Sequence, residues 1–315
     1  MKHLIIGPCP PPYGGISVYI HRFAARLTGE GHEVSLFDYS HTSRLRRYLR
    51  LLSVPFRGYD TVHLNTISYP LAVYFLITGL AGRTVYTSHG ALAETWSARQ
   101  VRLFGALMRA CREVILVGEH LREVYARKGI NLPPNTTVRN AFLPPDDSEE
   151  AAIRETYPDS LTTFLAGHRP IIVANAYQLV HHGGTDLYGL DLCVDLLARL
   201  KPDYPEVGLV FAIAEIGDHA YFESVQRLLD DRALTDHVCF LTAQKQLWPL
   251  FKNADVFVRP TSIDGYGISI DEALHFGCPA VASDVCKRAA GAAIFRSRDI
   301  ADFEAKCREA LGPSD

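Results

Sequence analysis

Short apolar runs alternate with stretches of helical spacing along the chain, and together they predict an α/β fold. Residues 2–7 form the first apolar run, and residues 18–27 repeat apolar positions at the period of a helix. Further apolar runs in the first half predict strands at residues 61–65, 83–88, 113–117 and 137–139. Strands that alternate with helices are typical of a parallel sheet with helices on its faces.

The second half of the chain repeats this pattern. Its predicted strands cover residues 171–174, 207–213, 237–241, 255–258 and 280–282, and its predicted helices cover residues 187–200, 222–231, 246–253, 268–276 and 300–311. Pro144, Pro145 and an acidic run at residues 146–150 separate the two halves. Because 315 residues exceed the usual size of one hydrophobic core, the sequence predicts two doubly wound domains, residues 1–145 and 146–315.

Composition and charge narrow the class of protein. The seven cysteines include no Cys-x-x-Cys pair, which favours a reducing cytosol over a disulfide framework or a zinc site. We expect a cytoplasmic protein, because no run suits a signal peptide or a membrane span. Residues 1–140 hold 17 Lys and Arg against 8 Asp and Glu, whereas residues 141–315 hold 15 against 27. The two halves are therefore expected to meet different partners.

Candidate chemistry is concentrated in one stretch of the second half. A strand, a loop with Gly265 and Gly267, a helix and a second strand form one βαβ unit there. Backbone amides at the helix start, near Gly267 and Ile268, favour a phosphate group. Asp264 could be a helix cap and Glu272 a surface carboxylate. We favour a functional interpretation, because Glu272 shares a helix face with apolar residues, where a carboxylate needs a partner.

A family resemblance appears in the same stretch. From Ser262 the chain reads Ser-Ile-Asp-Gly-Tyr-Gly-Ile-Ser-Ile-Asp-Glu-Ala-Leu-His-Phe-Gly-Cys-Pro-Ala-Val-Ala-Ser. Two acidic residues with seven between them, a small-residue helix and a Gly-x-Pro strand resemble the signature of retaining GT-B glycosyltransferases of family four. Glu272 matches that signature, whereas Asp264 stands where most members have Glu. The resemblance implies two Rossmann-like domains that face each other across a cleft.

The resemblance also implies roles for single residues. Glu272 would accept hydrogen bonds from the ribose of a nucleotide-sugar donor, and Asp264 would orient hydroxyls of the donor sugar. Gly14 and Gly15 follow the first strand as the family's acceptor-side loop does, although a glycine pair also fits an ordinary tight turn. His89 follows a predicted strand at the family's position near the reacting sugar, although a solitary histidine is more often structural.

The chain departs from the family where the donor diphosphate is neutralised. The family places an Arg and a Lys there, and residues 173–191 of this chain contain neither. Charge that develops on a leaving diphosphate must be stabilised, and Arg259 and Arg288 are the candidates, with the amides of the helix start. The predicted donor site comprises Asn175, Arg259, Gly265, Tyr266, Gly267, Ile268 and Arg288.

Residues 42–52 predict a basic amphipathic helix. Its arginines are Arg44, Arg46, Arg47 and Arg50. Such a helix either lies on anionic lipid or packs its leucines on the domain core, and both alternatives remain open. No nucleic-acid motif accompanies the arginines, so no nucleic-acid partner is expected.

The sequence and the resemblance together predict a retaining glycosyltransferase. It would transfer a sugar from a nucleotide-sugar, such as a UDP- or GDP-sugar, to a glycan or polyprenyl-diphosphate-linked acceptor in cell-surface polysaccharide synthesis, peripherally on the inner membrane face. The chain has no Asp-x-Asp triplet, so we expect no metal and no cofactor besides the substrate. The alternatives are a non-catalytic GT-B-like protein that binds sugar or nucleotide, and a sugar-nucleotide epimerase of this fold.

Overall fold

The computed structural model describes residues 1–11, 13–39, 42–90, 92–243 and 245–312. The chain forms two compact units, Met1–Leu143 and Pro144–Asp315. Each unit contains a six-stranded sheet. Nowhere in the described ranges does a helix combine the length and the apolar character that crossing a bilayer requires.

The first unit is a parallel sheet with helices on both faces. Its strands are β1 (Lys2–Gly7), β2 (Glu33–Asp38), β3 (Thr61–Leu64), β4 (Thr84–Ser88), β5 (Glu113–Leu116) and β6 (Thr136–Val138). Its helices are α1 (Gly15–Gly29), α2 (Arg44–Ser53), α3 (Tyr69–Ile77), α4 (Ala98–Ala110) and α5 (His120–Arg127). The strands lie in the order β2-β1-β3-β4-β5-β6, and each neighbouring pair is parallel.

The strand order divides the helices of the first unit between the two faces of its sheet. The chain steps from β1 outward to β2, then back across β1 to β3 and onward to β6. Because parallel crossovers are right-handed, α1 lies on one face and α2 to α5 lie on the other. Ile5 of β1 packs against Ile20, Phe23 and Leu27 of α1, which anchors that helix over the middle of the sheet.

The second unit repeats this architecture. Its strands are β7 (Ile171–Leu179), β8 (His181–His182), β9 (Thr185–Asp186), β10 (Gly208–Gly217), β11 (Val238–Thr242), β12 (Val256–Arg259), β13 (Ala280–Ser283) and β14 (Ala293–Phe295). Its helices are α6 (Glu150–Arg154), α7 (Asp159–Gly167), α8 (Leu190–Leu200), α9 (His219–Asp231), α10 (Trp248–Phe251), α11 (Ile268–His275) and α12 (Ile300–Leu311). The parallel sheet has the order β11-β10-β7-β12-β13-β14, and β8 pairs with β9 as an antiparallel hairpin.

Both faces of the second sheet are buried. Along β7, Ile172 and Ala174 belong to one hydrophobic core, whereas Ile171 and Val173 belong to the other. Strands that are buried on both faces read as continuous apolar runs, which is why sequence pattern located them. The predicted pair of α/β domains with parallel sheets is confirmed.

Helix α2 is oriented with its leucines outward. Leu45, Leu49 and Leu52 are 60% to 71% exposed, whereas Leu51 is buried. The alternative in which the leucine stripe packs on the domain core is therefore wrong for these three residues. A helix that presents leucines to solvent leaves an apolar surface without a described partner inside its own unit.

The inward face of α2 carries two of its arginines. The guanidinium of Arg47 lies 4.4 Å from the ring centre of Tyr39, and that of Arg50 lies 4.8 Å from the ring centre of Phe37. Both arginines also donate to backbone carbonyl groups. Their charges are thus partly engaged by the unit itself, although Arg50 is exposed and Arg47 is half-buried. Arg46 is exposed, and the side chain of Arg44 lies outside the described part of the chain.

Candidate functional site

The loop between β12 and α11 depends on a glycine at its end. Gly267 has a φ of 86°, a left-handed conformation that residues with a side chain rarely adopt. A Cβ atom there would lie 2.8 Å from Arg259 Nε and 3.1 Å from Arg288 Nη1. The backbone conformation and the two approaching guanidinium groups therefore both require glycine. Ile268 follows directly and begins α11.

Two guanidinium groups converge on Asp264. Its Oδ2 lies 2.5 Å from Arg259 Nε and 2.6 Å from Arg288 Nη1. Burial alone would raise the pKa of Asp264, but the two guanidinium groups outweigh it and hold that pKa well below its usual range. Asp264 is therefore an ionised carboxylate at the centre of a buried cluster of Arg259, Asp264 and Arg288, here called the arginine–aspartate cluster.

The contacts of Asp264 bear on its predicted role. A carboxylate offers about four lone-pair positions, and the side chains of Arg259 and Arg288 and the amide of Gly265 donate four hydrogen bonds to this one. A hydroxyl of a donor sugar would have to displace one of these donors. The orienting role stays a prediction, and the geometry adds a second role, which is to hold both guanidinium groups in place.

Arg259 is the more accessible cation of the cluster. Its side chain is 11% exposed, against 1% for Arg288. Its Nη1 donates to Asn175 Oδ1 at 3.2 Å and to Ser269 Oγ at 3.3 Å. Two guanidinium groups and one carboxylate leave the cluster with a net positive charge beside the start of α11, where the helix dipole has the same sign. An anion such as a diphosphate would complement both.

Arg288 supports the cluster from the interior. It donates to Thr261 Oγ1 at 2.9 Å, to Ser283 Oγ at 3.0 Å and to the carbonyl of Ser283 at 2.9 Å. Its predicted contact with a donor stays a prediction, and its burial makes it a support for Asp264. Sequence reasoning missed Thr261 and Ser283. Their signal was positional, because each lies at the carboxyl end of a strand, where ligand sites of α/β sheets form.

The other predicted donor residues surround α11. Glu272 is buried on this helix. Burial raises the pKa of Tyr157 and the charge of Glu272 contributes to the rise, which shows that the two groups are close enough to interact. The backbone carbonyl of Tyr266 accepts a hydrogen bond from Arg288 at 3.2 Å. The phenol hydroxyl of Tyr266 donates to Asp271 Oδ1 at 3.3 Å. Tyr266 thus connects the loop to the arginine–aspartate cluster and to α11.

The start of α8 is occupied by a carboxylate of the chain itself. Asp186 Oδ2 accepts from the amide of Leu190 at 2.6 Å and from the hydroxyl of Tyr221 at 2.7 Å. This is the region where the family resemblance predicted a lysine for the diphosphate. A ligand phosphate there would meet a carboxylate, so the start of α11 is the better anion site of the two.

In the first unit, His89 is half-buried beside the buried Asn65. Its Nε2 lies 2.9 Å from Asn65 Oδ1, and the ring of Tyr19 meets its ring edge-on at 4.8 Å. Burial lowers the pKa of His89 to about 4, so the ring is neutral near pH 7. Its Nδ1 is buried and has no hydrogen-bond partner among the described residues. Sequence reasoning missed Asn65, which follows β3 directly at the carboxyl end of that strand.

The predicted acceptor-side loop is a helix start. Gly14 caps α1, and its amide donates to Ser17 Oγ at 2.8 Å. A Cβ atom at Gly14 would meet nothing within 4 Å, so open space adjoins this backbone. Gly15 is the first residue of α1. Across the described ranges, no three His, Cys, Asp or Glu side chains are grouped as a metal site would need.

Comparisons with known proteins connect the second unit to glycosyltransferases. Residues 180–292 match the family model described as "Glycosyl transferases group 1". A lipopolysaccharide core biosynthesis mannosyltransferase from Rhizobium meliloti is 32% identical over 106 residues, which are 33% of this chain and 29% of that protein. This alignment spans less than a third of the relative's length.

A longer alignment covers both units. A GDP-mannose-dependent alpha-(1-6)-phosphatidylinositol monomannoside mannosyltransferase from Mycolicibacterium smegmatis is 26% identical over 325 residues, covering 89% of this chain and 79% of that protein. The matched family segment contains Arg259, Asp264, Glu272 and Arg288. The comparisons therefore support glycosyltransferases as the class that this chain is similar to.

Solved structures share the fold of the whole chain. HepE of Anabaena in complex with UDP and glucose has a TM-score of 0.66 at 17% identity, covering 99% of this chain and 90% of that one. WaaG, a glycosyltransferase involved in lipopolysaccharide biosynthesis, has a TM-score of 0.61 at 16% identity, with coverages of 99% and 90%. The predicted fold class, GT-B with two Rossmann-like domains, is confirmed.

Proposed function

We propose that this protein is a retaining, metal-independent hexosyltransferase. It transfers a sugar from a nucleotide-sugar donor to a glycan or lipid-linked acceptor in cell-surface polysaccharide synthesis, and needs no cofactor besides that substrate. The match to group 1 glycosyltransferases supports the class. The mycobacterial relative depends on GDP-mannose, and the Anabaena neighbour is in complex with UDP, which supports a nucleotide-sugar donor.

The observation that carries the proposal is the net positive charge of the arginine–aspartate cluster beside the start of α11, with Asp271 in the first turn of that helix as an opposing charge. Arg259 is held by Asp264 and Asn175 at the start of a helix whose first amides have no partner inside the helix. A donor diphosphate bound there would receive hydrogen bonds from the guanidinium and from amides near Ile268. The chain thus replaces the missing Arg and Lys of the family with Arg259 and a helix start.

The charge has a direct use in the proposed reaction. The bond between the anomeric carbon and the diphosphate oxygen breaks, and negative charge grows on that oxygen. Arg259 stabilises this charge more in the transition state than in the bound donor, which is the requirement for catalysis. The acceptor hydroxyl attacks from the same face, forms the new glycosidic bond and gives its proton to the departing diphosphate, so the configuration is retained. Glu272 holds the ribose throughout.

The test is a panel of UDP- and GDP-sugars scored for product and, separately, for hydrolysis, with variants of Arg259. Arg259→Ala should lower turnover about a hundredfold, by analogy with the loss of one oxyanion donor. Arg259→Lys should recover only part of the rate, because an ammonium cannot make a bidentate contact. Arg298→Ala is the control, since Arg298 lies in the same unit and pairs with Asp191 rather than with Asp264.

The outcomes separate the alternative functions. Turnover of a donor by the parent and its loss in Arg259→Ala support the transferase. An Arg259→Ala protein that is destabilised yet fully active would remove Arg259 from the reaction. Nucleotide binding without product or hydrolysis across the panel would support the non-catalytic binding protein, and conversion of the donor sugar without an acceptor would support the epimerase.

We also propose that α2 brings the protein to an anionic membrane surface on the cytoplasmic side, where a polyprenyl-diphosphate-linked acceptor is found. The exposed leucines 45, 49 and 52 form the apolar face that such a helix buries among lipids. Arg46 adds exposed positive charge that attracts anionic headgroups. Because Arg47 and Arg50 contact rings of their own unit, the apolar face contributes more of the binding than the arginine count suggests.

A further inference from the structure

Three histidines are stacked in the first unit. His3 lies on β1, His63 on β3 and His32 directly before β2. The ring centre of His3 is 4.9 Å from that of His32 and 5.3 Å from that of His63. His3 Nδ1 lies 3.0 Å from His63 Nε2, so two imidazole rings share a direct hydrogen bond. These three residues, here called the histidine stack, do not belong to the site described above.

The surroundings of His3 disfavour an added proton. The side chain is 7% exposed, and one nitrogen of its ring is engaged by His63. The other nitrogen, Nε2, is buried and has no hydrogen-bond partner among the described residues. A cationic imidazole carries a proton on both nitrogens, so Nε2 of a protonated His3 would be a buried charged donor without an acceptor. Burying such a group is costly, and the stack therefore suits neutral rings.

The charged groups around His3 do not offset this cost. Burial is the main cause that lowers the pKa of His3, and the charges of His32 and of the amino group of Met1 lower it further. Asp60 and Glu30 act in the opposite direction but do not outweigh these causes. In the folded unit His3 is therefore harder to protonate than a histidine in water.

The second buried ring of the stack is disfavoured as a cation in the same way. Burial lowers the pKa of His63 to about 3, and its neighbour in the stack and Arg112 add to the effect. His63 also lines a cavity whose charged groups are Arg26, Glu113 and Arg139. Glu113 is paired with Arg139 there, which reduces its attraction for a protonated His63.

Helix α1 shields the stack from water. The ring of Phe23 on α1 meets the ring of His63 edge-on at 4.8 Å. Phe23 packs in one core cluster with Ile5 of β1 and with Ile20 and Leu27 of the same helix. Ile5 is the register partner of His63, so both side chains lie on the sheet face that α1 covers. Displacing α1 would therefore expose the imidazoles to water.

We propose that the histidine stack is a pH-dependent switch, which keeps α1 on the sheet at neutral pH and releases it reversibly in mild acid. Imidazoles that are hydrated in the open state take up protons near their ordinary pKa of about 6.5, whereas those in the closed state do not. A histidine with a lowered folded pKa stabilises the closed state fully above that value, and this stabilisation is lost as the pH falls below it. With a folded pKa of about 3, His63 alone should raise the ratio of open to closed molecules about thirtyfold between pH 7.5 and pH 5.0.

The switch goes beyond the proposed transfer reaction and does not depend on it. Helix α1 begins at Gly15, beside the predicted acceptor-side loop. Its release would change that loop and leave the arginine–aspartate cluster of the second unit intact. Nucleotide binding and donor turnover at pH 7.5 therefore report the proposed function independently of the switch.

The test is hydrogen exchange of the full chain at pH 7.5 and pH 5.0, followed by mass spectrometry and corrected for the intrinsic pH dependence of exchange. We expect the protection of α1 peptides to fall about thirtyfold or more at pH 5.0, to return at pH 7.5, and to stay unchanged in α8 of the second unit. Combining His3→Gln with His63→Gln should remove this fall, because glutamine keeps a donor and an acceptor but does not titrate.

His21 provides a matched control, since it is a half-buried histidine on α1 itself. His21→Gln should keep the pH dependence of the parent. His89 meets Tyr19 of the same helix at 4.8 Å, and the double variant retains it, which separates its effect from that of the stack. If the double variant is unfolded at pH 7.5, His3→Gln alone replaces it and should reduce the fall. Equal protection of α1 at both pH values in the parent, or an equal fall in the parent and the stack variant, overturns the inference.

Discussion

Replacing Asp264 with Asn tests the arginine–aspartate cluster most directly. Asn keeps the shape and one acceptor but removes the only negative charge of the cluster, so two buried guanidinium groups face each other uncompensated. Removing one partner of a buried ion pair costs about 3–5 kcal/mol. This is a large share of the roughly 5–15 kcal/mol that stabilises a typical domain. We therefore expect marked destabilisation of the second unit.

The effect of this substitution should depend on pH. The guanidinium groups hold the pKa of Asp264 well below its usual range, so this carboxyl stays ionised to a lower pH in the folded state than in the unfolded state. A carboxyl of this kind stabilises the fold fully above its unfolded pKa of about 4, and the stabilisation declines as the pH falls below that value. Below about pH 4 the parent should lose free energy of unfolding, whereas the free energy of unfolding of the Asn variant, which lacks the titrating group, should change less. The difference between the two should shrink in acid.

The assay is urea unfolding followed by tryptophan fluorescence in a Trp96→Phe background. Trp248 is then the one tryptophan left in the sequence, and it is buried in the second unit. Asp191→Asn is the control, because the Asp191–Arg298 pair is 36% exposed on each side and should contribute less than about 1 kcal/mol. If Asp264→Asn costs no more than this control at pH 7, or costs the same at pH 3 as at pH 7, the buried ion-pair argument is refuted.

Three further outcomes are expected. Glu272→Gln should weaken nucleotide binding by about 1.5–3 kcal/mol, because a charged acceptor is lost, and an unchanged affinity in calorimetry would remove Glu272 from the ribose site. Gly267→Ala should cost at least about 1–2 kcal/mol in urea unfolding, since alanine disfavours a φ of 86° and its Cβ would lie 2.8 Å from Arg259 Nε; parent-like stability would show that glycine is dispensable there. Leu45→Ser with Leu49→Ser should reduce co-sedimentation with phosphatidylglycerol vesicles, each buried leucine contributing about 1.5–3 kcal/mol; an equal loss in Leu92→Ser, a control at another exposed leucine of the same unit, would contradict a specific membrane face.

The sequence predicted the fold well because most strands are short apolar runs between breakers. It also located the loop at Gly267 with Asp264 and Glu272, because these residues lie close together along the chain. It did not predict that Asp264 binds Arg259 and Arg288 together, because Arg288 is 24 residues away and reaches the site only through the folding of β13. Periodicity likewise cannot show whether the leucines of α2 face the core, because an amphipathic pattern is the same whichever face is buried.

The α8 start has a consequence for how many nucleotides the second unit can hold. Asp186 is covalently linked to the helix start that it caps, since Leu190 is only four positions further along the chain. The effective concentration of its carboxylate at that helix start is therefore on the order of millimolar or higher. Free phosphate would have to compete with a partner that cannot diffuse away. Among the described residues, the cap of α11 is Gly267, which has no side chain to occupy the first amides of that helix. Of these two helix starts, that of α11 is therefore the one open to exchange with solution, and we expect the proposed donor to bind there once.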